Sequence, residues 1–441
     1  MTRAQNTDVC VVGAGPAGLA LSLMLLRSGV AVTLLEKSRS FARDFHGEIL
    51  QPGGQRILDE LGVLDAARSR GDRALRGFQV LERDRLLLDI DYTRLDAPYG
   101  RLLALPQRHL LETLLAACRT QPGFTYRDGH RLSTLTEEDG RRTGAVAKGP
   151  DGRPLTVRAR VVVGADGRFS RTRALAGIDA GRTETFDQDL VWCSVPAPGR
   201  TTRHVRVHRA EGTAVLVHDT HPDRIRIGWT LPHRSWPAVA ERGIGAVKDR
   251  LAAAVPEFAD LVTEHLTGLS DLKLLDVFAA RAPRWSRDGL VLLGDSAHTH
   301  GPLGAQGVNL ALQDAAALHP VLVEALRAGD TSHARLARFQ ELRAPAADAV
   351  TRAQRLQAKA FFGTAGRAAT LARAAAAHLV TRTPIGARIT AKVAYGAAPV
   401  HVRTDLFTHP EPVPTGTGAA DPARHASRAV HARKVHDDHR S

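Results

Sequence analysis

Gly13, Gly15 and Gly18 stand in the run Gly13-Ala14-Gly15-Pro16-Ala17-Gly18, between Asp8–Val12, which reads as a short buried strand, and Leu19–Leu26, which reads as the helix that follows. Glycines at this spacing serve one kind of chemistry. The first permits a tight turn, the second lets the backbone approach a pyrophosphate, and the third lets the helix pack closely on the strand. The helix N-terminus then offers unpaired N–H groups and the positive end of its dipole to the anion. A second apolar run, Val30–Leu35, ends in Glu36 and Lys37. Glu36 is placed to accept hydrogen bonds from ribose hydroxyls, which suits an unphosphorylated ribose: FAD or NAD, not NADP.

Two further motifs follow. The run Val161-Val162-Val163-Gly164-Ala165-Asp166-Gly167 is a strand ending in a tight turn. Leu290–Leu293 is a buried strand that leads into Gly294-Asp295-Ser296-Ala297-His298 and on to Pro302-Leu303-Gly304-Ala305-Gln306-Gly307-Val308-Asn309. Three separated motifs in this order converge on a single ligand, FAD, gripped along its length. Asp166 also has a plain turn-forming reading, an aspartate before glycine.

The elements needed to place these motifs define an α/β chain of two lobes. Residues 1–75, 100–178 and 276–344 form a discontinuous Rossmann-like FAD-binding domain, which includes a helix over Gln107–Leu115. Residues 76–99 and 179–275 form the second lobe. Its short alternating runs, Val205–Val207, Ala214–Val217 and Arg224–Leu231, predict an antiparallel sheet that covers the cofactor and supplies most of the substrate pocket. Residues 345–400 form a C-terminal helical region, and 401–441, rich in Pro, Gly, His and Ala, a disordered tail.

The chain has 441 residues, enough to bury a large core. Its three cysteines, Cys10, Cys118 and Cys193, have no metal-ligand spacing and leave an odd thiol, which fits a reducing cytoplasm. Leu19–Leu26 is too short to span a membrane and belongs to the nucleotide-binding helix. The net charge is +14, with eleven Lys or Arg against two acids in residues 331–400. That stretch is helix-prone, with Pro345 and Pro384 as breaks. It reads as solvated helix faces packed on the main body, or as a basic surface for an anionic membrane, an acidic partner or an anionic substrate. No recognition motif or aromatic–basic interleaving accompanies the charge, so nucleic acid is not expected.

The sequence resembles the class A flavin monooxygenases, the family that includes 4-hydroxybenzoate hydroxylase and the ubiquinone-biosynthesis hydroxylases, from about Asp8 to Leu326. The resemblance rests on the three motifs and two supporting segments. Asp44–Gly53, which contains Gly47, looks like the family's loop and helix beside the flavin. Arg108 opens a helix where the family commonly has a cofactor-contacting arginine. The resemblance assigns Asp166 to holding FAD and links it to the reduced nicotinamide. It assigns Asp295 to the ribityl chain, and Pro302, Gly304, Gly307, Val308 and Asn309 to the isoalloxazine, where backbone N–H groups and a helix dipole would stabilise charge on the reduced ring. It implies reduction of FAD by NADH or NADPH, visiting transiently because no second dinucleotide fold is present. It also implies addition of O2 to give a flavin C4a-hydroperoxide, and transfer of one oxygen atom to an aromatic or polyunsaturated small molecule, in keeping with secondary metabolism.

His46 departs from the family, where arginine is common. His298 and His300 lie close to the expected ring and have two readings: a titrating acid or base, or hydrogen-bonded structural residues. Trp192 and Trp229, on strands of the second lobe, are candidates for an aromatic substrate pocket or for core packing. The competing functions are a flavin-dependent halogenase, a reductase of related fold, and a flavin-binding protein whose basic helices bind a membrane or partner. A halogenase is disfavoured by the single tryptophan of Gly228–Pro232, a reductase by the Ala297-His298 pair, and a vestigial site by the intact glycines with Glu36 and Asp295.

Overall fold

In the computed structural model, which describes residues 4–42, 48–82, 85–183, 188–210, 213–362, 384–396 and 398–408, the strand before Gly13 spans Gln5–Val12 and lies at the centre of a sheet. Gly47 and His46 lie outside the described residues, as do 363–383 and 409–441. The parallel strands run in the spatial order Phe124–Arg127, Val32–Leu35, Gln5–Val12, Pro154–Gly164, Leu290–Leu292. The inner strands are apolar and buried where they approach their carboxyl ends, Val9–Val12, Val32–Leu35, Val161–Gly164 and Leu290–Leu292, as a parallel sheet covered on both faces requires. Val12 pairs with Leu35 on one side and Gly164 on the other. The chain therefore builds first to one side of the central strand and later to the other. A crevice opens at such a reversal, outside the carboxyl ends of the strands, and all three glycine motifs follow those ends.

The helix Pro16–Arg27 carries Pro16 in its first turn, where its missing N–H is no loss. It packs against the predicted helix, which runs Gln107–Arg119, and against Gly307–Arg327.

A second sheet has seven strands, in the order Lys273–Leu275, Gln188–Pro196, Arg224–Pro232, Thr213–Thr220, Val205–Ala210, Gly77–Glu82, Arg85–Asp91. Its pairings are antiparallel except that of Val205–Ala210 with Gly77–Glu82, which is parallel. Those two strands come from separate parts of the chain, so no hairpin dictates their direction. One face is covered by the helices Gly243–Ala254 and Ala259–His265, which the sequence reading passed over. Val247, Leu251, Phe258, Leu261 and Val262, buried against that face, carry the helical spacing that the neighbouring strand patterns overshadowed.

Two C-terminal expectations are corrected. Pro345 does not break the chain, because the helix His333–Phe362 runs through it. A proline inside a helix costs about 3 kcal/mol. Side chains on both sides of it anchor this helix to the body: Arg343 to Asp314, and Gln354 to the carbonyls of Gly301 and Leu303. Residues 401–408, placed by sequence in the tail, are held in place. Val402 N–H donates to Glu60 at 2.7 Å, Thr408 N–H donates to the Arg27 carbonyl at 2.8 Å, and Phe407 packs against His319.

Candidate active site

The three glycine motifs meet at the carboxyl end of the parallel sheet. A Cβ on Gly13 would strike the Ala165 carbonyl oxygen at 2.4 Å, and one on Gly18 would strike the Gly13 carbonyl oxygen at 2.0 Å. Gly13 also has φ +107°, a conformation that favours glycine. The middle motif reaches the late one through Ser296, whose hydroxyl accepts from Gly167 N–H at 3.0 Å and donates to Asp166 at 3.3 Å. Gly294 lies against Ala17 of the first motif and Ala311 of the late helix.

Gly15 differs from its neighbours. A Cβ there would meet no atom within 4 Å, so the backbone faces open space. It is the N-cap of the helix Pro16–Arg27, and no side chain caps that end. Unpaired N–H groups of a first helical turn beside free space suit a pyrophosphate. Glu36 is buried, and its carboxylate accepts from Ala14 N–H at 2.8 Å and Ser38 N–H at 2.9 Å, which fixes it at the end of its strand. Lys37 beside it is exposed.

Asp295 has no hydrogen-bond donor on its carboxylate among the described residues. Its nearest cation is Arg168, whose Nε lies 4.0 Å away, and its side chain is 32% exposed. Burial drives its pKa up, against the pull of Arg168 and His298. Such a group gains from any hydroxyl donor brought to it, as a ribityl chain would be. The open space at Gly15 and this unsatisfied acid both fit FAD.

Asp166 is committed elsewhere: it accepts from Ser170, from Thr172 N–H at 2.9 Å and from the Thr172 hydroxyl at 3.1 Å. It thus holds the turn and the short helix after it, and links them to Ser296. Asn309 is likewise engaged. Its side chain accepts from Gln51 N–H at 2.8 Å and donates to the carbonyls of Ala305 and Ile49. It offers a ligand its backbone and not its amide.

The loop Pro302–Gly307 is held by glutamines that sequence reasoning missed. Gln51 and Gln306 donate to the Gly304 carbonyl, and Gln354 donates to those of Gly301 and Leu303. Gly307 and Val308 open the helix Gly307–Arg327, which has no side-chain cap at its N-terminus.

His298 and His300 belong to a buried chain. His298 bonds Asp314 at 2.7 Å through Nε2 and His300 at 2.9 Å through Nδ1, and His300 Nδ1 meets the Thr351 hydroxyl at 3.2 Å. Every ring nitrogen is used. Burial, with His298 adding to it, pushes the His300 pKa down to about 3. Asp314 also accepts from Arg343 at 2.7 Å. Burial alone would raise its pKa, but His298 and Arg343 outweigh that and hold it below the usual carboxylate range. Asp314, a lone acid within the apolar run Leu310–Leu318, was the available signal for this network.

The two tryptophans point to opposite faces of the second sheet. Trp229 is 5% exposed and sits with Val191, Val217 and Ile227 under the covering helices, on the face away from the late loop. Trp192 is half-buried on the other face, grouped with Leu190, Leu216, Val277 and with Leu303 of the glutamine-held loop. The Arg226 guanidinium lies 4.8 Å from its ring centre. Glu48 pairs with Arg226 at 2.6 Å and accepts from Thr220 at 2.9 Å. Arg108 stands apart from this constellation, 60% exposed and ion-paired with Glu112.

A sequence model of the family described as "FAD binding domain" matches residues 6–354. The chain is 52% identical over 408 residues to 6-methylpretetramide 4-monooxygenase of Streptomyces rimosus, spanning 92% of this chain and 96% of that relative. The crystal structure of P. aeruginosa PqsL in complex with 2-aminobenzoylacetate aligns with a TM-score of 0.73 at 25% identity, over 85% of this chain and 99% of PqsL. OxyS anhydrotetracycline hydroxylase from Streptomyces rimosus shares the fold, with a TM-score of 0.69 at 23% identity over 88% of this chain and 75% of OxyS. With the crevice, the open turn at Gly15 and the matched length taken together, the chain belongs to the FAD-binding-domain family and is an FAD-dependent monooxygenase.

Proposed function

We propose that this enzyme hydroxylates a phenolic aromatic small molecule related to 6-methylpretetramide, with NADH or NADPH as transient reductant and O2 as co-substrate. The observation that carries this reading is the 52% identity to the Streptomyces rimosus enzyme across nearly the whole of both chains. FAD, when bound and reduced, supplies activation of O2 and an electrophilic oxygen atom.

The chain's own residues bind, orient and exclude water. Gly15 and the first turn of Pro16–Arg27 would take the pyrophosphate, Glu36 the ribose, and Asp295 the ribityl hydroxyls. The backbone of Pro302, Gly304, Gly307, Val308 and Asn309 would lie along the isoalloxazine, with the dipole of Gly307–Arg327 opposing negative charge on it. The substrate would lie between that loop and the face of the second sheet that carries Leu190, Trp192 and Leu216. The FAD-binding lobe would comprise residues 1–75, 100–178 and 276–344, and the substrate lobe residues 76–99 and 179–275. The chain's buried free thiols suit a cytoplasmic enzyme, and among the described residues no helix is long and apolar enough to cross a membrane.

The test is incubation of FAD-loaded protein with NADH or NADPH, isotopically labelled O2 and 6-methylpretetramide. One labelled oxygen in the product is the expected result. Reductant consumption that yields only hydrogen peroxide would overturn the substrate assignment.

A further inference from the structure

We propose that His218 is the base that removes the proton from a phenolic hydroxyl of the substrate, an inference that rests on the aromatic-hydroxylase reading above. His218 lies in the strand Thr213–Thr220, directly opposite Arg226. Its ring meets Trp192 edge-on, with centroids 6.2 Å apart and planes at 73°. That is the face of the sheet that reaches Leu303 and the loop assigned to the flavin, opposite the face covered by Gly243–Ala254 and Ala259–His265.

The tautomer follows from one contact. Nδ1 lies 3.0 Å from the Asp219 carbonyl oxygen, which can only accept, so Nδ1 carries the proton and Nε2 holds the lone pair. Among the described residues no hydrogen bond reaches Nε2. His298 and His300 have no such nitrogen, since each of theirs is engaged. Burial keeps the His218 pKa below the usual imidazole value, so the ring is neutral and able to accept a proton.

Electrophilic oxygen transfer needs an electron-rich ring, and a phenolate is far richer than a phenol. A pocket that excludes water must supply the base itself. In the proposed step the phenolic O–H bond breaks, its electron pair stays on oxygen, and the proton moves to Nε2. The products are a phenolate and an imidazolium, with no change of oxidation state. The charged groups around that imidazolium are Glu48, Arg226 and Asp219. Glu48 and Arg226 neutralise one another at 2.6 Å, so the charge that holds the proton on Nε2 is that of the phenolate left beside it, while the Nδ1–H bond to the Asp219 carbonyl fixes the ring.

The experiment is a spectral titration of the oxidised, FAD-loaded enzyme with 6-methylpretetramide near neutral pH, in wild type and His218→Gln. Phenolate absorbs at longer wavelength than phenol. Wild type should bind the compound with that red shift. The variant should retain its flavin, bind without the shift, and turn over about 100-fold more slowly, the scale of a lost general base. Raising the pH above the compound's own pKa should restore both the shift and turnover in the variant, a rescue that a packing defect would not show. An equal red shift in the variant at neutral pH overturns the role of His218 while leaving the hydroxylase reading intact. Failure of wild type to hydroxylate the compound overturns that reading, and the base with it. If His218→Gln does not fold, His218→Asn provides the same comparison.

Discussion

Asp314 holds His298 on one carboxylate oxygen and Arg343 on the other, each at 2.7 Å, with all three side chains at most 3% exposed. This joins the helix Gly307–Arg327, the late motif and the helix His333–Phe362 at one point. Removing one partner of a buried ion pair leaves an uncompensated charge. Arg343→Ala is therefore expected to lower folding stability by about 3 kcal/mol, measured by denaturant unfolding. A loss too small to resolve would mean that His298 alone balances Asp314.

Gly15 and Gly18 should respond differently to the same substitution. At Gly18 a Cβ would overlap the Gly13 carbonyl oxygen at 2.0 Å, so Gly18→Ala is expected to yield little folded protein. At Gly15 there is nothing within 4 Å and φ is −79°, so Gly15→Ala should fold with a normal melting temperature. Its methyl would intrude on the open space assigned to the pyrophosphate, and FAD affinity should fall by tenfold or more, read by equilibrium dialysis.

Asp295→Ala removes a carboxylate that no donor satisfies among the described residues. Its loss should cost little in folding and about 2 kcal/mol in FAD binding, roughly 30-fold in affinity. Normal flavin content after gel filtration would contradict its assignment.

The opposite faces of Trp192 and Trp229 separate binding from packing. Trp229→Ala should cost about 3 kcal/mol of stability, as large-to-small core changes do, with KM for the aromatic substrate unchanged in the protein that folds. Trp192→Ala should raise KM and divert reductant into hydrogen peroxide, because the wall beside Leu303 no longer excludes water. Steady-state kinetics with peroxide detection distinguishes the two.

Stability should fall as pH drops below about 6.5. Burial, helped by Arg403 and Arg327, lowers the His319 pKa from 6.5 to about 4, and burial with His298 lowers that of His300 to about 3. Between those values and 6.5 the unfolded chain binds protons that the folded chain refuses, so acid favours unfolding, while above 6.5 the stabilisation is complete. Chemical denaturation across this range should show the decline, and His319→Gln, which cannot charge, should show a shallower one.

How much was legible depended on how local the cause was. The strand–turn–helix at Gly13, Gly15 and Gly18 could be read because turn geometry and helix ends act over a few residues. Trp192 and Trp229 could not be separated, since strand register decides which face each side chain takes, and register is set by partners up to tens of residues away. Asp166 carries both a cofactor and a turn-forming reading and Asn309 a backbone one; that Thr172 and Ser170 engage the first side chain and Gln51 the second is visible only in the folded chain.

The sequence by itself determined the nucleotide-binding crevice, because apolar strands, glycine turns and the helices that follow them carry their own conformational preferences. The tertiary structure alone decided which charges are neutralised and which remain open to chemistry. Arg343 reads as one of eleven basic residues in a helix-prone stretch, yet it is buried against Asp314. His218, one imidazole among twenty, has no hydrogen bond to its Nε2 among the described residues and stands beside Trp192. Burial and hydrogen-bond partners set the behaviour of such groups, and both are properties of the assembled fold and not of any segment.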